Sequence, residues 1–300
     1  MMEYEAFEKE IVDMLQRELG EGYQVYIYPV SHNNGVESRQ AVILEKGELV
    51  AECLPIEHYY ELCRKPSDLE VAVRDILREY QKRNRESGHL CVDQLYHWEC
   101  ARDKVLFRLV NSDTNKKFLQ SVPSVETCDL SQVVYMVLNA GNAYSRTLTV
   151  NKRLMDLWGV DTAELLQQAR ENTPMRLPAR FMNAGLSVSG NILDVMDTAH
   201  TAGACMYVLT NTEKVYGAAC IFYDGLLEDV AEKLGCGFYI LPSSIHQVII
   251  IPSCVCEPEY SMQLKRMVTA INLKEAPKQD ILSDSIYYYN KEEKQFSIVL

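Results

Sequence analysis

Ser243, Ser244 and His246 stand within four residues of one another, in the phrase Leu241-Pro-Ser-Ser-Ile-His246. A serine hydroxyl beside a histidine can be a nucleophile with its general base. That chemistry needs the imidazole within hydrogen-bond reach of the hydroxyl and a third group to orient the ring. The Gly-x-Ser-x-Gly elbow is absent, because both serines follow Pro242. Gln247 is an amide and cannot serve as the carboxylate, and acidic residues such as Glu257 lie beyond the next apolar run. The favoured reading is a hairpin turn on a sheet rim, where serines bond to nearby backbone. On this reading Ser243, Ser244 and His246 form a contact surface for a ligand or partner, and no residue is assigned as catalytic. A hydrolase using the same three residues is the alternative.

Cys254-Val-Cys256 has one intervening residue, whereas structural zinc sites prefer two to four and need a second pair. The groups Cys53/His58/Cys63 and Cys91/His97/Cys100 match no zinc-finger spacing either. The ten cysteines are expected to be reduced and to bind no structural metal. Arg170, Arg176 and Arg180, with Lys152 and Arg153 upstream, could fork onto a phosphate or carboxylate. A solvated face with exposed ion pairs is the favoured reading of that group. Arg176 and Arg180 are kept as candidate contact residues. Tyr287-Tyr-Tyr289 in a strand would send alternate rings to opposite faces. Neither a P-loop, a dinucleotide fingerprint, an EF-hand nor a His-Glu-x-x-His sequence occurs, so no cofactor is expected.

A chain of 300 residues suits one large domain or two ordinary ones, and 47% hydrophobic residues suffice for a real core. The net charge of -12 opposes general nucleic-acid binding and anionic membrane surfaces. A nucleic-acid-associated role would need a local basic face. The acidic start Met1-Met-Glu-Tyr-Glu-Ala-Phe7 does not read as a signal peptide, and no apolar run approaches a membrane span. A cytoplasmic location is expected, with an unidentified protein or small molecule as partner.

The elements that must hold these residues are readable from periodicity. Met206 to Pro252 holds the densest apolar patterning and predicts two hairpins flanking one helix. Met206–Thr210 and Val215–Tyr223 make the first hairpin, Leu226 to Leu234 the helix, and Phe238–Leu241 with Gln247–Ile251 the second hairpin. Tyr207-Val-Leu209 and Tyr239-Ile-Leu241 look alike, which suggests repeated hairpin-helix units. Upstream, Phe7, Ile11, Met14, Leu15 and Leu19 make one helical stripe, and Asn33-Asn-Gly35 is a strong hairpin turn. Ser67-Asp-Leu-Glu70 is a capping box that opens a helix to about Tyr80. The polar stretch Gln81 to His89 marks a boundary, giving an N-terminal α+β region 1–86 and a larger α+β region 87–300 built around 206–252. Val105–Val110 reads as a strand, Val133–Leu138 and Arg146–Val150 as a hairpin around Asn139 to Asn142, and Asn172 to Gly190 as a long irregular loop. Helices are predicted at Asp93–Ala101, after Asn151, after Asp161, at Asn191–Ala199 and at Glu257–Ile271, and Ile286–Tyr289 with Gln295–Val299 closes the chain as a hairpin. The fold class is α+β, with antiparallel sheets built from hairpins and helices packed on them.

Several phrases occur together in order: Leu157-Trp-Gly-Val160, Asn172-Thr-Pro174, Tyr207-Val-Leu-Thr-Asn211, Gly217-Ala-Ala219 and Leu241-Pro-Ser-Ser-Ile-His246. Over nearly its whole length the chain resembles the bacterial family known as domain of unknown function 5688, met in gut clostridia. The resemblance implies a bacterial cytoplasmic protein and carries no activity, cofactor or assigned site. The family often has an acidic residue after the histidine, where this chain has Gln247. The reading reached is a non-enzymatic binding or regulatory module.

Overall fold

Phe7, Ile11 and Leu15 are all fully buried, and they fix helix α1 (Tyr4–Leu19) against a three-stranded antiparallel sheet. The structure, a computed structural model, describes residues 2–48, 51–63, 65–87, 93–138, 147–184, 206–255, 261–274 and 276–299. The chain divides into two compact units, whose described residues lie within 2–87 plus 138 and within 93–137 plus 147–299.

In the first unit, β1 (Tyr23–Ser31), β2 (Glu37–Glu45) and β3 (Glu52–Pro55) pair in that order. Helix α2 (Glu57–Leu62) follows, then α3 (Pro66–Ser87). Ala41, Ile43 and Leu54 from the sheet meet Leu69, Val73 and Ile76 of α3 in one core. The β1–β2 turn is where the sequence places it. Asn34 and Gly35 both have positive φ, 60° and 65°. Asparagine and glycine tolerate that region, whereas a β-branched side chain does not. Gly35→Val should therefore cost about 1 kcal/mol or more in a denaturation experiment. An unchanged midpoint would show that the turn does not hold this conformation. Helix α3 runs past Tyr80 to Ser87, so much of the polar stretch expected to mark a boundary is helical. Lys, Arg and Glu are good helix formers, and Arg83 is tied back to Glu79 at 2.8 Å.

In the second unit, α4 (Asp93–Tyr96) and α5 (Trp98–Ala101) precede β4 (Val105–Asn111). After α6 (Lys116–Leu119) come β5 (Ser124–Thr127), β6 (Leu130–Val137) and β7 (Thr147–Thr149). Strand β6 pairs with β4, β5 and β7, all antiparallel. Helices α7 (Lys152–Trp158) and α8 (Thr162–Arg176) start on the expected caps, with Asn151 accepting from the Leu154 N–H and Asp161 from the Glu164 N–H.

The expected irregular loop from Asn172 is a helix as far as Arg176, and its next residues form β8 (Ala179–Asn183). Asn172 and Thr173 look like loop residues, yet both are buried. Their side chains serve the backbone of β4: Asn172 Nδ2 donates to the Val105 carbonyl at 2.9 Å, and Thr173 Oγ1 accepts from the Phe107 N–H at 3.0 Å. They satisfy backbone groups of a strand that, among the described residues, has one strand neighbour, β6.

The remaining strands are β9 (Tyr207–Asn211), β10 (Phe238–Ser244), β11 (Gln247–Pro252), β12 (Tyr287–Asn290) and β13 (Gln295–Ile298), with α9 (Leu226–Leu234) before β10 and α10 (Ser261–Lys274) before β12. They form a six-stranded antiparallel sheet in the order β13-β12-β10-β11-β9-β8. Leu264 and Val268 of α10 pack on Tyr239, Leu241, Ile249 and Ile251. The first of the two expected hairpins is not formed. Residues Gly217–Phe222 make a buried 3-10 helix instead of a strand. Both edges of β9 are taken, by β8 and β11. The chain is also turned out of the sheet by Asn211, whose Oδ1 accepts from the Glu213 and Val215 N–H groups at 3.1 and 3.3 Å. The predicted turn at 139–142, the predicted helix at 191–199 and the loop from 185 to 190 lie outside the described residues. No helix among the described residues is long and apolar enough to cross a membrane.

Candidate functional site

Strands β10 and β11 meet across a tight turn in which Ser244 pairs with Gln247. Pro242 lacks an N–H, and the register shifts between Leu241 and Ser244, which ends the regular ladder there. Ser244 Oγ accepts from the His246 N–H at 3.0 Å, a local serine turn. The turn is held by its own backbone: the Ile245 N–H donates to the Asp280 carbonyl at 2.8 Å and the Ala218 N–H to the Ile245 carbonyl at 3.2 Å. Thr210 Oγ1 donates to the His246 carbonyl at 2.8 Å.

The His246 ring lies on the flank of this turn, half-buried. Its Nδ1 accepts from the Tyr216 N–H at 3.3 Å, and its Nε2 is 3.7 Å from Asp280 Oδ1. An Nδ1 that accepts cannot carry the proton, so the neutral ring holds it on Nε2, facing Asp280. The Tyr216 ring stacks near-parallel to the imidazole, with 5.9 Å between centroids and 16° between planes. Tyr216 has a left-handed backbone, φ 51°, which directs its N–H at the imidazole as the chain enters the 3-10 helix.

On its other side Tyr216 meets Arg108 of β4. Arg108 Nη1 donates to Tyr216 Oη at 2.9 Å, and Nη2 to Thr149 Oγ1 at 3.4 Å. The guanidinium carbon is 5.0 Å from the Tyr216 ring centroid, and Tyr135 meets that ring edge-on at 5.4 Å. Arg108, Tyr216, His246 and Asp280 thus form one continuous row.

Over residues 4–291 the sequence matches the Family of unknown function (DUF5688). The chain belongs to this family. Neither the curated proteins nor the solved structures gave a match.

The sequence-predicted residues are not all brought together. Ser244 and His246 share the turn, and Ser243 belongs to the same strand end, its side chain lying outside the described residues. Arg176 and Arg180 are exposed, on the last residue of α8 and in β8, with no hydrogen bond or ion pair to the turn among the described residues. Arg170 donates to Gln132 Oε1 at 2.9 Å and Lys152 to the Gln120 carbonyl at 2.9 Å. No group of three His, Cys, Asp or Glu side chains that could hold a metal occurs among the described residues. Cys220 is buried, and burial pushes its thiol up to about 12, so it is no nucleophile at neutral pH. In the first unit a groove of about 530 Å³ is lined by residues including His58, Tyr59 and Lys82. Its Arg78 and Arg83 are paired within the groove wall, to Asp75 at 3.1 Å and Glu79 at 2.8 Å.

Three residues of the row were missed by sequence reasoning. Asp280 sits in a short 3-10 segment, Lys278–Asp280, far along the chain, and nothing local points to the histidine. Tyr216 lies in the apolar run Val215–Tyr223, whose pattern predicts a strand. Arg108 carried a usable signal: it is the one charge in the apolar run Val105-Leu-Phe-Arg-Leu-Val110.

Proposed function

We propose that this protein is a non-enzymatic binding or regulatory module, with the turn at Ser243, Ser244 and His246 as contact surface and a protein or small molecule as partner. The observation that carries the reading is the state of the His246 ring. Its Nδ1 lone pair is held by the Tyr216 N–H, and its Nε2 faces Asp280. A general base must offer a lone pair to a hydroxyl at about 2.6–3.2 Å. Among the described residues no hydroxyl hydrogen-bonds to the ring, and Ser244 Oγ is engaged with the His246 backbone N–H instead. Exposed Arg176 and Arg180 are part of the proposal as a second contact patch. So is a cytoplasmic setting, which rests on the scattered cysteines.

Asp280 favours a second reading, a hydrolase, because it is the acidic partner that the sequence does not offer next to His246. That reading requires the ring to leave Tyr216 and find a hydroxyl. The two separate on one comparison of wild type with His246→Ala, scored for folding and for turnover of generic ester and phosphate substrates. Neither protein is expected to turn over substrate above buffer. Wild-type turnover that disappears in a fully folded His246→Ala protein would establish the hydrolase and overturn the binding reading.

A further inference from the structure

We propose that Arg108 anchors an oxyanion-binding site on the second unit, taking the carboxylate or phosphate group of a small ligand. The proposal rests on the binding reading above and names its ligand class. Every other residue of β4 is buried, and Arg108 is half-buried among them. Drawing a guanidinium even partly out of water is costly unless an anion or hydrogen bonds compensate it. This chain has 42 acidic residues against 30 basic ones, yet no carboxylate pairs with Arg108 among the described residues. Its partners are two neutral hydroxyls and an aromatic ring. Its Nε is buried without any hydrogen-bond partner.

The hydroxyls make the site a donor cluster. Tyr216 Oη and Thr149 Oγ1 each accept one N–H from Arg108, at 2.9 and 3.4 Å, and each still has its own O–H to donate. The guanidinium has five N–H groups, of which Nη1 and Nη2 use one each on these hydroxyls. Two hydroxyl protons and the remaining Nη protons are thus available to the oxygens of one planar or tetrahedral anion, the arrangement that suits a guanidinium fork. Thr149 and Tyr135 are paired across β6 and β7, and Arg108 lies across from Val133 two residues along the same strand, so all three stand on one sheet face. Tyr216 lies against the guanidinium, and beyond it the row continues to His246 and then to Asp280, whose carboxylate lies 3.7 Å from the imidazole and forms no ion pair with Arg108. Because Tyr216 also bonds His246 through its N–H, an anion on Arg108 would sit directly beside the proposed contact surface.

The test uses the full chain, with thermal unfolding and calorimetric titration against inorganic phosphate and, separately, acetate, each compared with chloride at equal ionic strength. Saturable binding of at least one anion is expected, lost in Arg108→Gln and weakened about tenfold in Thr149→Val, whose fold is less at risk. Preference for phosphate or for acetate identifies the source of the anion. Arg108→Lys should retain weak binding, since it keeps the charge and loses the fork. Absence of saturable binding beyond chloride, or equal binding by wild type and a folded Thr149→Val and Arg108→Gln, overturns the site. Loss of the anion site would leave the contact reading of the His246 turn standing. Ester turnover by wild type would sink the contact reading while leaving anion binding measurable.

Discussion

Gly217→Ala is expected to destabilise the second unit by about 3 kcal/mol, the upper part of the range for forcing atoms into a packed interior. A Cβ on Gly217 would stand 2.5 Å from the His246 carbonyl oxygen and 2.8 Å from the Asn211 backbone nitrogen, with Thr210 Oγ1 closer still. The threonine hydroxyl could rotate, but the two backbone atoms cannot move alone. Asn211 ends a strand paired on both sides, and the His246 carbonyl already accepts from Thr210. Relief would have to displace either β9 or the turn. Displacing the turn would also part His246 from the Tyr216 N–H. A urea titration should show the midpoint well below wild type. Gly22→Ala is the control, since a Cβ there meets nothing within 4 Å. Equal midpoints for Gly217→Ala and Gly22→Ala would show that the approach of the 3-10 helix to the turn is not as close as this.

Asp129→Ala should cost about 4 kcal/mol, because one carboxylate gathers four donors. Asp129 Oδ1 accepts from the Tyr287 hydroxyl at 2.5 Å, and Oδ2 from Ser283 Oγ at 2.6 Å, Ser285 Oγ at 3.0 Å and Asn111 Nδ2 at 3.3 Å. The bonds join β12 and the segment before it to the end of β4 and the start of β6. Tyr287 is fully buried and Ser283 and Asn111 nearly so, so the alanine protein would leave their polar groups without an acceptor. Hydrogen bonds to a charged group contribute about 1.5–3 kcal/mol each in isolation, and sharing one carboxylate keeps the total well below their sum. Burial, and then the bond to Asp129, drives the Tyr287 hydroxyl far above the ordinary tyrosine range. A raised folded-state value means that this contribution is fully present below about pH 10, where the unfolded tyrosine keeps its proton, and is lost as pH rises beyond it. Tyr287→Phe should cost about 1–2 kcal/mol, and a double-mutant cycle should show strong coupling between the two positions. Additive losses, or an Asp129→Ala protein within 1 kcal/mol of wild type (about one net hydrogen bond), would show that the carboxylate does not organise this junction.

Structure with a local physical cause is legible in the sequence. Phe7, Ile11 and Leu15 announce α1 by spacing, and the Asn34-Gly35 pair announces its turn by tolerance of positive φ. The turn at Ser244 and His246 follows from a proline and two serines between apolar runs. Structure is not legible where one composition has two structural meanings. Val215 to Tyr223 is apolar because it is buried, and a buried 3-10 segment and a buried strand ask for the same residues. Asn172 and Thr173 are polar because they bond to the backbone of another strand, a need that no window around them contains.

What the sequence by itself determined about this protein is its α+β class, its family, most of its elements and the residues of the turn, because helix and strand periods, turn residues and ordered phrases are properties of neighbours along the chain. Only the tertiary structure decided which residues meet His246. Asp280 reaches His246 through a backbone bond to Ile245, Tyr216 reaches it by leaving the sheet, and Arg108 reaches Tyr216 from a different sheet. Whether a histidine is a base or a structural acceptor depends on which atoms meet its two nitrogens. Those atoms arrive by packing of distant segments, whose long-range pairing leaves no local trace.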